Sequence, residues 1–212
     1  MGGRPIVSSG TAELDAIAEE DALRAELYDL LAALLARPAD AELIARVAGL
    51  SGDATPLGTA IGDLARVARA ASPGAVEREF NRLFIGLGRG ELLPYASFYM
   101  TGFLNEKPLA ALRRDMARIG AARAPGVWEP EDNVASLCEI MGGLIRGRFG
   151  APASLAEQRE IFGRHIAPWA GHFFSDLEGA KNAEFYRPVG AVGRAFVEIE
   201  KQAFRMSGDG AD

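Results

Sequence analysis

Ala22-Leu23-Arg24-Ala25-Glu26-Leu27-Tyr28-Asp29-Leu30-Leu31-Ala32-Ala33-Leu34-Leu35-Ala36-Arg37-Pro38 is the stretch whose period decides the fold class. Leu23, Leu27, Leu30, Leu31, Leu34 and Leu35 recur at steps of three and four, which places them on one face of an α-helix, and Pro38 ends it. Outward from there the same period repeats. Leu43, Ile44, Val47 and Leu50 form a shorter stripe that Gly52 closes. Thr55-Pro56 reads as an N-cap with proline at the first helical position, followed by Leu57, Ile61, Leu64 and Ala68 and stopped by Ser72-Pro73-Gly74. Val76, Phe80, Leu83 and Phe84 define a fourth helix.

The glycines of Gly86-Leu87-Gly88-Arg89-Gly90 then interrupt the pattern, because dense glycine costs too much backbone entropy inside a helix. A short aromatic segment, Tyr95 to Leu104, leads to a helix after Pro108 with Leu109, Leu112, Met116 and Ile119. Residues 120–130, with two prolines and two glycines, read as a hinge. A helix from about Glu131 carries Val134, Leu137, Cys138, Met141 and Ile145. Ser154-x-x-Glu157 is a capping box that opens the next, with Ile161, Phe162, Ile166 and Trp169. Pro168 kinks that helix or starts another with Phe173 and Leu177, and Val189, Val192, Phe196 and Ile199 mark the last one. No run of β-branched residues alternates at period two. The expected fold is therefore all-α, a helical bundle of about nine helices. Its N-terminal part is expected at 1–119, a hinge at 120–130 and a C-terminal part at 131–212, with one compact domain as the alternative.

The chain has 212 residues, 23 Lys+Arg, 29 Asp+Glu, two His and one Cys, for a net charge of −6. One Cys excludes an internal disulfide framework and, with two His, any Cys- or His-rich metal centre within one chain. No metal, no cofactor and no nucleic-acid partner are expected, the last because phosphate affinity comes from clustered Lys and Arg. The acidic balance is local: residues 1–63 carry 11 acids against 4 bases, and the rest 18 acids against 19 bases. Two readings of that first third compete, solvated helix faces or a surface that attracts a basic partner. The opening residues lack a basic region followed by an apolar run, and no later stretch is long and apolar enough to span a bilayer. A cytoplasmic location without membrane insertion is the expectation.

Catalytic residues are not expected. His165 and His172 are separated by about 10 Å of helical rise, too far to share a metal on one helix. Cys138 sits on an apolar stripe, Gly86-x-Gly88-x-Gly90 follows a helix where a phosphate loop needs a strand, and no serine lies in a Gly-x-Ser-x-Gly setting. The carboxylates of Glu129-Pro130-Glu131-Asp132 have a structural explanation at the positive end of a helix dipole.

Two segments exceed what periodicity explains. Glu79-Phe80-Asn81-Arg82-Leu83-Phe84-Ile85-Gly86, followed by Pro94-Tyr95-Ala96-Ser97-Phe98-Tyr99, resembles the signature of the TorD/DmsD/NarJ family of redox-enzyme maturation chaperones. Glu129-Pro130-Glu131-Asp132-Asn133-Val134 is similar to the family's Glu-Pro-x-Asp-His-Ile motif, with Asn133 in the place of its His, and Phe162-x-x-His165-Ile166-x-Pro168-Trp169 is a weaker third match. The resemblance implies a non-catalytic cytoplasmic chaperone. It would bind the precursor of a molybdenum- or tungsten-pterin oxidoreductase, through its twin-arginine leader, its core or both, and assist cofactor insertion before export or assembly. It also implies that Leu83, Phe84, Tyr95, Ser97 and Tyr99 lie around a peptide-binding groove and Glu129, Asp132 and Asn133 at its hinge side, with Asp132 facing the leader's basic pair. Core packing is the competing reading for Leu83, Phe84, Tyr95 and Tyr99. Asn133 can donate and accept hydrogen bonds but gains no proton near neutral pH. A monomer and a homodimer that exchanges helices across the hinge are both open, and a helical adaptor for another protein partner is the alternative function.

Overall fold

The structure is a computed structural model and describes residues 18–86, 89–123, 126 and 128–207. The readings of the opening residues and of Arg4, Glu13 and Asp15 in the charge count, of Leu87 and Gly88 in the glycine loop, of parts of 120–130 and of the polar tail lie outside the described residues. Among the described residues there are ten α-helices and no strand: α1 (Glu19–Ala36), α2 (Ala41–Ala48), α3 (Pro56–Ala70), α4 (Pro73–Phe80), α5 (Ala96–Thr101), α6 (Lys107–Arg118), α7 (Val134–Arg146), α8 (Leu155–His165), α9 (Ala170–Gly179) and α10 (Tyr186–Met206). The all-α bundle is the fold. Local signals act where they were read: Thr55 accepts from the Gly58 N–H ahead of Pro56, and the Ser154/Glu157 capping box is closed in both directions.

Departures from the expected elements have local causes. The aromatic segment after Pro94 contains one more helix, α5, too short to show a period. The fourth helix does not run on to Phe84 as an α-helix but widens into a π-turn at Asn81–Ile85, where the Gly86 N–H bonds to the Asn81 carbonyl at 2.7 Å. Gly86 then turns the chain at φ +62°, where a Cβ would strike the Arg89 carbonyl oxygen. Pro168 lies between α8 and α9, and α7 begins at Val134 because Asn133 caps it.

α1 lies along α7, and α10 packs on α9 and α3. The close approach of α9 and α10 depends on Gly190, where a Cβ would come within 2.5 Å of the Glu178 amide nitrogen. Trp169, Tyr28, Tyr186, Phe162, Phe173 and Phe196 are fully buried in a core that runs from Ala25 to Phe204 and draws on both sides of 120–130. Glu200 of α10, 1% exposed, takes two hydrogen bonds from Arg24 and one from the Tyr28 hydroxyl, which ties α10 to α1 through a fully paired buried charge. No helix among the described residues is long and apolar enough to cross a membrane.

Candidate peptide-binding site

The two motif segments meet. The Val134 N–H bonds to the Pro94 carbonyl at 2.8 Å and the Ala96 N–H to the Asp132 carbonyl at 2.9 Å, which makes a single antiparallel bridge between Tyr95 and Asn133. Asp132 is fully buried, and its Oδ2 accepts the Ser97 N–H at 2.8 Å, so its carboxylate serves the first turn of α5. Asn133 caps α7 with its Oδ1, which accepts the Ala135 N–H, and donates through Nδ2 to Glu129 Oε1 at 3.3 Å. The Tyr95 hydroxyl donates to the same Glu129 oxygen. Burial, then the bonded Glu129 carboxylate, push the Tyr95 phenol above its ordinary pKa. Tyr95, Ser97, Glu129, Asp132 and Asn133 thus form one clasp joining the start of α5 to the start of α7.

Only part of this clasp faces solvent. Asp132 does not lie where a basic pair can reach it in this conformation. Its side chain is enclosed beside Ser97, and both Asp132 Oδ1 and Ser97 Oγ are buried without a hydrogen-bond partner. The exposed carboxylate is that of Glu129, and its neighbour Trp128 is 87% exposed. Met100 on α5 and Phe103 and Leu104 just beyond it are exposed as well. Glu131 is held inward by two bonds from Arg113; burial pushes its carboxyl up, but those bonds and the charges of Arg113 and Arg123 together keep it below the ordinary range.

The remaining expected residues lie apart from the clasp. The Tyr99 ring packs on Trp169 and Phe173, and its hydroxyl donates to the exposed Asp176 at 2.8 Å, a residue that no motif marks. Leu83 is fully buried in the π-turn, and Phe84 stands edge-on to Phe80 and Tyr186, half-buried. Glu79, the acid that opens the first motif, is buried and accepts the N–H groups of Glu184, Phe185 and Tyr186 at 2.8, 3.0 and 2.8 Å, so it anchors the start of α10. Reading from sequence assigns no role to Glu79, Trp128 or Asp176; for Trp128 the signal present was a large aromatic beside three acids in a Gly/Pro-rich stretch.

His165 is buried and bonded to Asp115 at 2.7 Å, and Cys138 is a buried free thiol whose burial pushes its pKa up to about 12. Neither lies in the clasp.

The profile of the family described as the nitrate reductase delta subunit matches residues 51–175, more than half of the chain. The chain belongs to that family. It is a member of the TorD-like redox-enzyme maturation chaperones, the group that its motifs resemble. Among its relatives is the chaperone protein TorD of Vibrio atlanticus, 26% identical over 132 residues, which make up 58% of this chain and 61% of that protein. TorD of Vibrio parahaemolyticus is 24% identical over 130 residues, 58% and 60% of the two chains. The match therefore spans about three fifths of these relatives. In fold, the chain is similar to a candidate redox enzyme maturation protein from Archaeoglobus fulgidus, with a TM-score of 0.56 over 83% of this chain and 94% of that one, at 18% identity. The whole clasp lies within residues 51–175, as do both of its motif segments.

Proposed function

We propose that this protein is a non-catalytic maturation chaperone that acts in the cytoplasm on the precursor of a molybdenum- or tungsten-pterin oxidoreductase. It holds the precursor through its twin-arginine leader, assists cofactor insertion and releases the client for export or assembly. Membership of the family supports the chaperone class. The observation that carries leader recognition is the pairing of the exposed Glu129 carboxylate with the exposed Trp128 indole. A leader is basic and then apolar, and a receptor for it needs a carboxylate next to apolar surface. Glu129 Oε1 is already occupied by Tyr95 and Asn133, while its Oε2 accepts no bond among the described residues and is open to a guanidinium. Tyr95, Asn133, Ser97 and Asp132 then act as the frame that aims Glu129, while Leu83, Phe84 and Tyr99 support the helices around it. Because ordering a flexible peptide costs entropy, the affinity is modest and release is easy. Residues 120–130 are the hinge of this reading, and exchange of helices across it would give a homodimer.

The test is capture of a precursor by the full chain. Capture weakens when the leader is deleted, and Glu129→Gln with Trp128→Ala lowers affinity about tenfold, roughly 1.4 kcal/mol. Undiminished capture of the leaderless precursor removes leader recognition. Capture of an unrelated mature protein with no oxidoreductase replaces the chaperone by an adaptor.

A further inference from the structure

Four acids of the first third, Glu26, Asp29, Asp40 and Glu42, stand on one surface with Glu129. A cavity of about 380 Å³ between α1, α7 and the stretch before α7 has Glu129, Asp29, Ala33, Glu139 and Ile140 in its walls. A second, of about 400 Å³, shares Ala33 and Glu139 with it and extends to Glu42, Leu43 and Arg46. A third, of about 240 Å³, shares Asp29 and Ala33 with the first and ends at Glu26, Val47 and Leu50. Together they form a trough beside the face of α1 that carries Glu26, Asp29, Leu30 and Ala33. From Glu26 to Ala36, the end of α1, the helix rises about 15 Å, the span of about five residues of extended peptide.

The charges along this trough are unbalanced. Asp29 is taken by Arg146 at 2.9 Å and Arg148 at 3.0 Å, Glu131 by Arg113 at 2.8 Å, and Asp40 accepts the Leu43 N–H at 2.9 Å as the cap of α2. Glu26, Glu42, Glu129 and Glu139 have no Arg or Lys within ion-pair distance among the described residues, and Arg46 is the one base in the same position. At Glu139 burial and the nearby Asp29 charge raise the carboxyl pKa against the pull of Arg148, so an added cation would be welcome there.

We infer that the trough takes the basic part of an extended peptide, its arginines reaching the unpaired carboxylates and its aliphatic carbons lying on Ala33, Leu43 and Ile140. This rests on the leader reading above and gives Glu26 and Glu42 of the acidic first third a share in binding. The occupant follows from charge complementarity: a surface with four unpaired acids and an apolar floor suits arginine, which carries a cation on an apolar stem.

Binding is measured by fluorescence anisotropy on the full chain. The probes are a synthetic 20-residue peptide with two adjacent arginines ahead of a Leu/Ala run and the same peptide with both arginines replaced by glutamine. The triple variant Glu26→Gln, Glu42→Gln, Glu139→Gln weakens the arginine peptide about fivefold and the glutamine peptide less than about twofold. Arg46→Glu tightens the arginine peptide. Equal weakening of both peptides, no weakening, or a dimer of the full chain that the triple variant dissolves overturns the inference. If the unaltered protein binds neither peptide, leader recognition fails and the trough with it. If it binds, Glu129→Gln is impaired and the triple variant is not, leader recognition stands and the trough alone fails.

Discussion

Asp132 and Glu129 are three positions apart in one acidic motif, and the fold gives them opposite surroundings. The motif's three carboxylates read as acids at the positive end of a helix dipole, but α7 starts only at Val134 and Glu129 stands exposed ahead of it. Asp132 is buried instead, because its partner is the Ser97 N–H, 35 residues back in the chain, and no local pattern announces that contact. Asn133 carries a local signal, an Asn just before an apolar stripe, yet the sequence reading starts the helix at about Glu131; in the fold Asn133 is the cap and α7 begins after it. The division has a measurable consequence. Asp132→Ala leaves the Ser97 N–H buried without an acceptor and costs about 2–3 kcal/mol, whereas Asp132→Asn keeps an acceptor and recovers most of that. Glu129→Gln, on the surface, changes stability by less than about 0.5 kcal/mol. Urea unfolding of the three variants checks this ordering, and an Asp132→Ala midpoint equal to that of the parent would remove the capping role.

Elements whose limits are set by neighbouring residues were legible, and those set by distant contacts were not. The Thr55-Pro56 start of α3 and the Ser154/Glu157 start of α8 need only three or four residues to specify them. The π-turn after α4 satisfies the same spacing of Phe80, Leu83 and Phe84 as an α-helix would, and what separates the two is the burial of Leu83 and the turn at Gly86. The packing of α6 on α8 is likewise invisible in the sequence, since His165 and Asp115 lie 50 residues apart. Burial holds His165 below its ordinary pKa even though Asp115 opposes this, so His165 is neutral and its Nε2–H donates to the carboxylate. Asp115 is itself pushed up by burial, but the bond from His165 and the charge of Arg164 prevail and keep it ionised. The sign of the pH dependence follows. As pH falls through about 6.5 the unfolded chain takes up a proton at this histidine before the native chain does, so stability drops between pH 7 and pH 5. His165→Gln, which keeps an N–H donor without a titration, flattens that slope. The check is the urea midpoint at pH 7, 6 and 5 for both proteins. A slope that survives in His165→Gln assigns the effect to another group.

For the molecule as a whole, the counts that leave no room for an internal disulfide or a Cys- or His-rich metal centre within one chain do not say what the −6 charge is for, and its placement gives an answer only once the fold is known. Glu26 and Glu42 are dispersed along the sequence, yet they share a trough with Glu129 because α1 lies along α7. The same packing bears on the hinge. Everything that α1 and α3 bury against α7 and α10 is made between segments on opposite sides of 120–130. If that stretch is a hinge, those contacts can form equally well between two chains, and only the linker's ability to double back favours the monomer. Removing six residues from 120–130 takes that ability away while leaving the ends of α6 and α7 intact. The shortened chain is then expected to be a dimer by light scattering, with unchanged helix content, and to return to monomer when six Gly/Ser residues are put back. A shortened chain that remains a folded monomer would show that α6 and α7 are joined rigidly and that the stretch is no hinge.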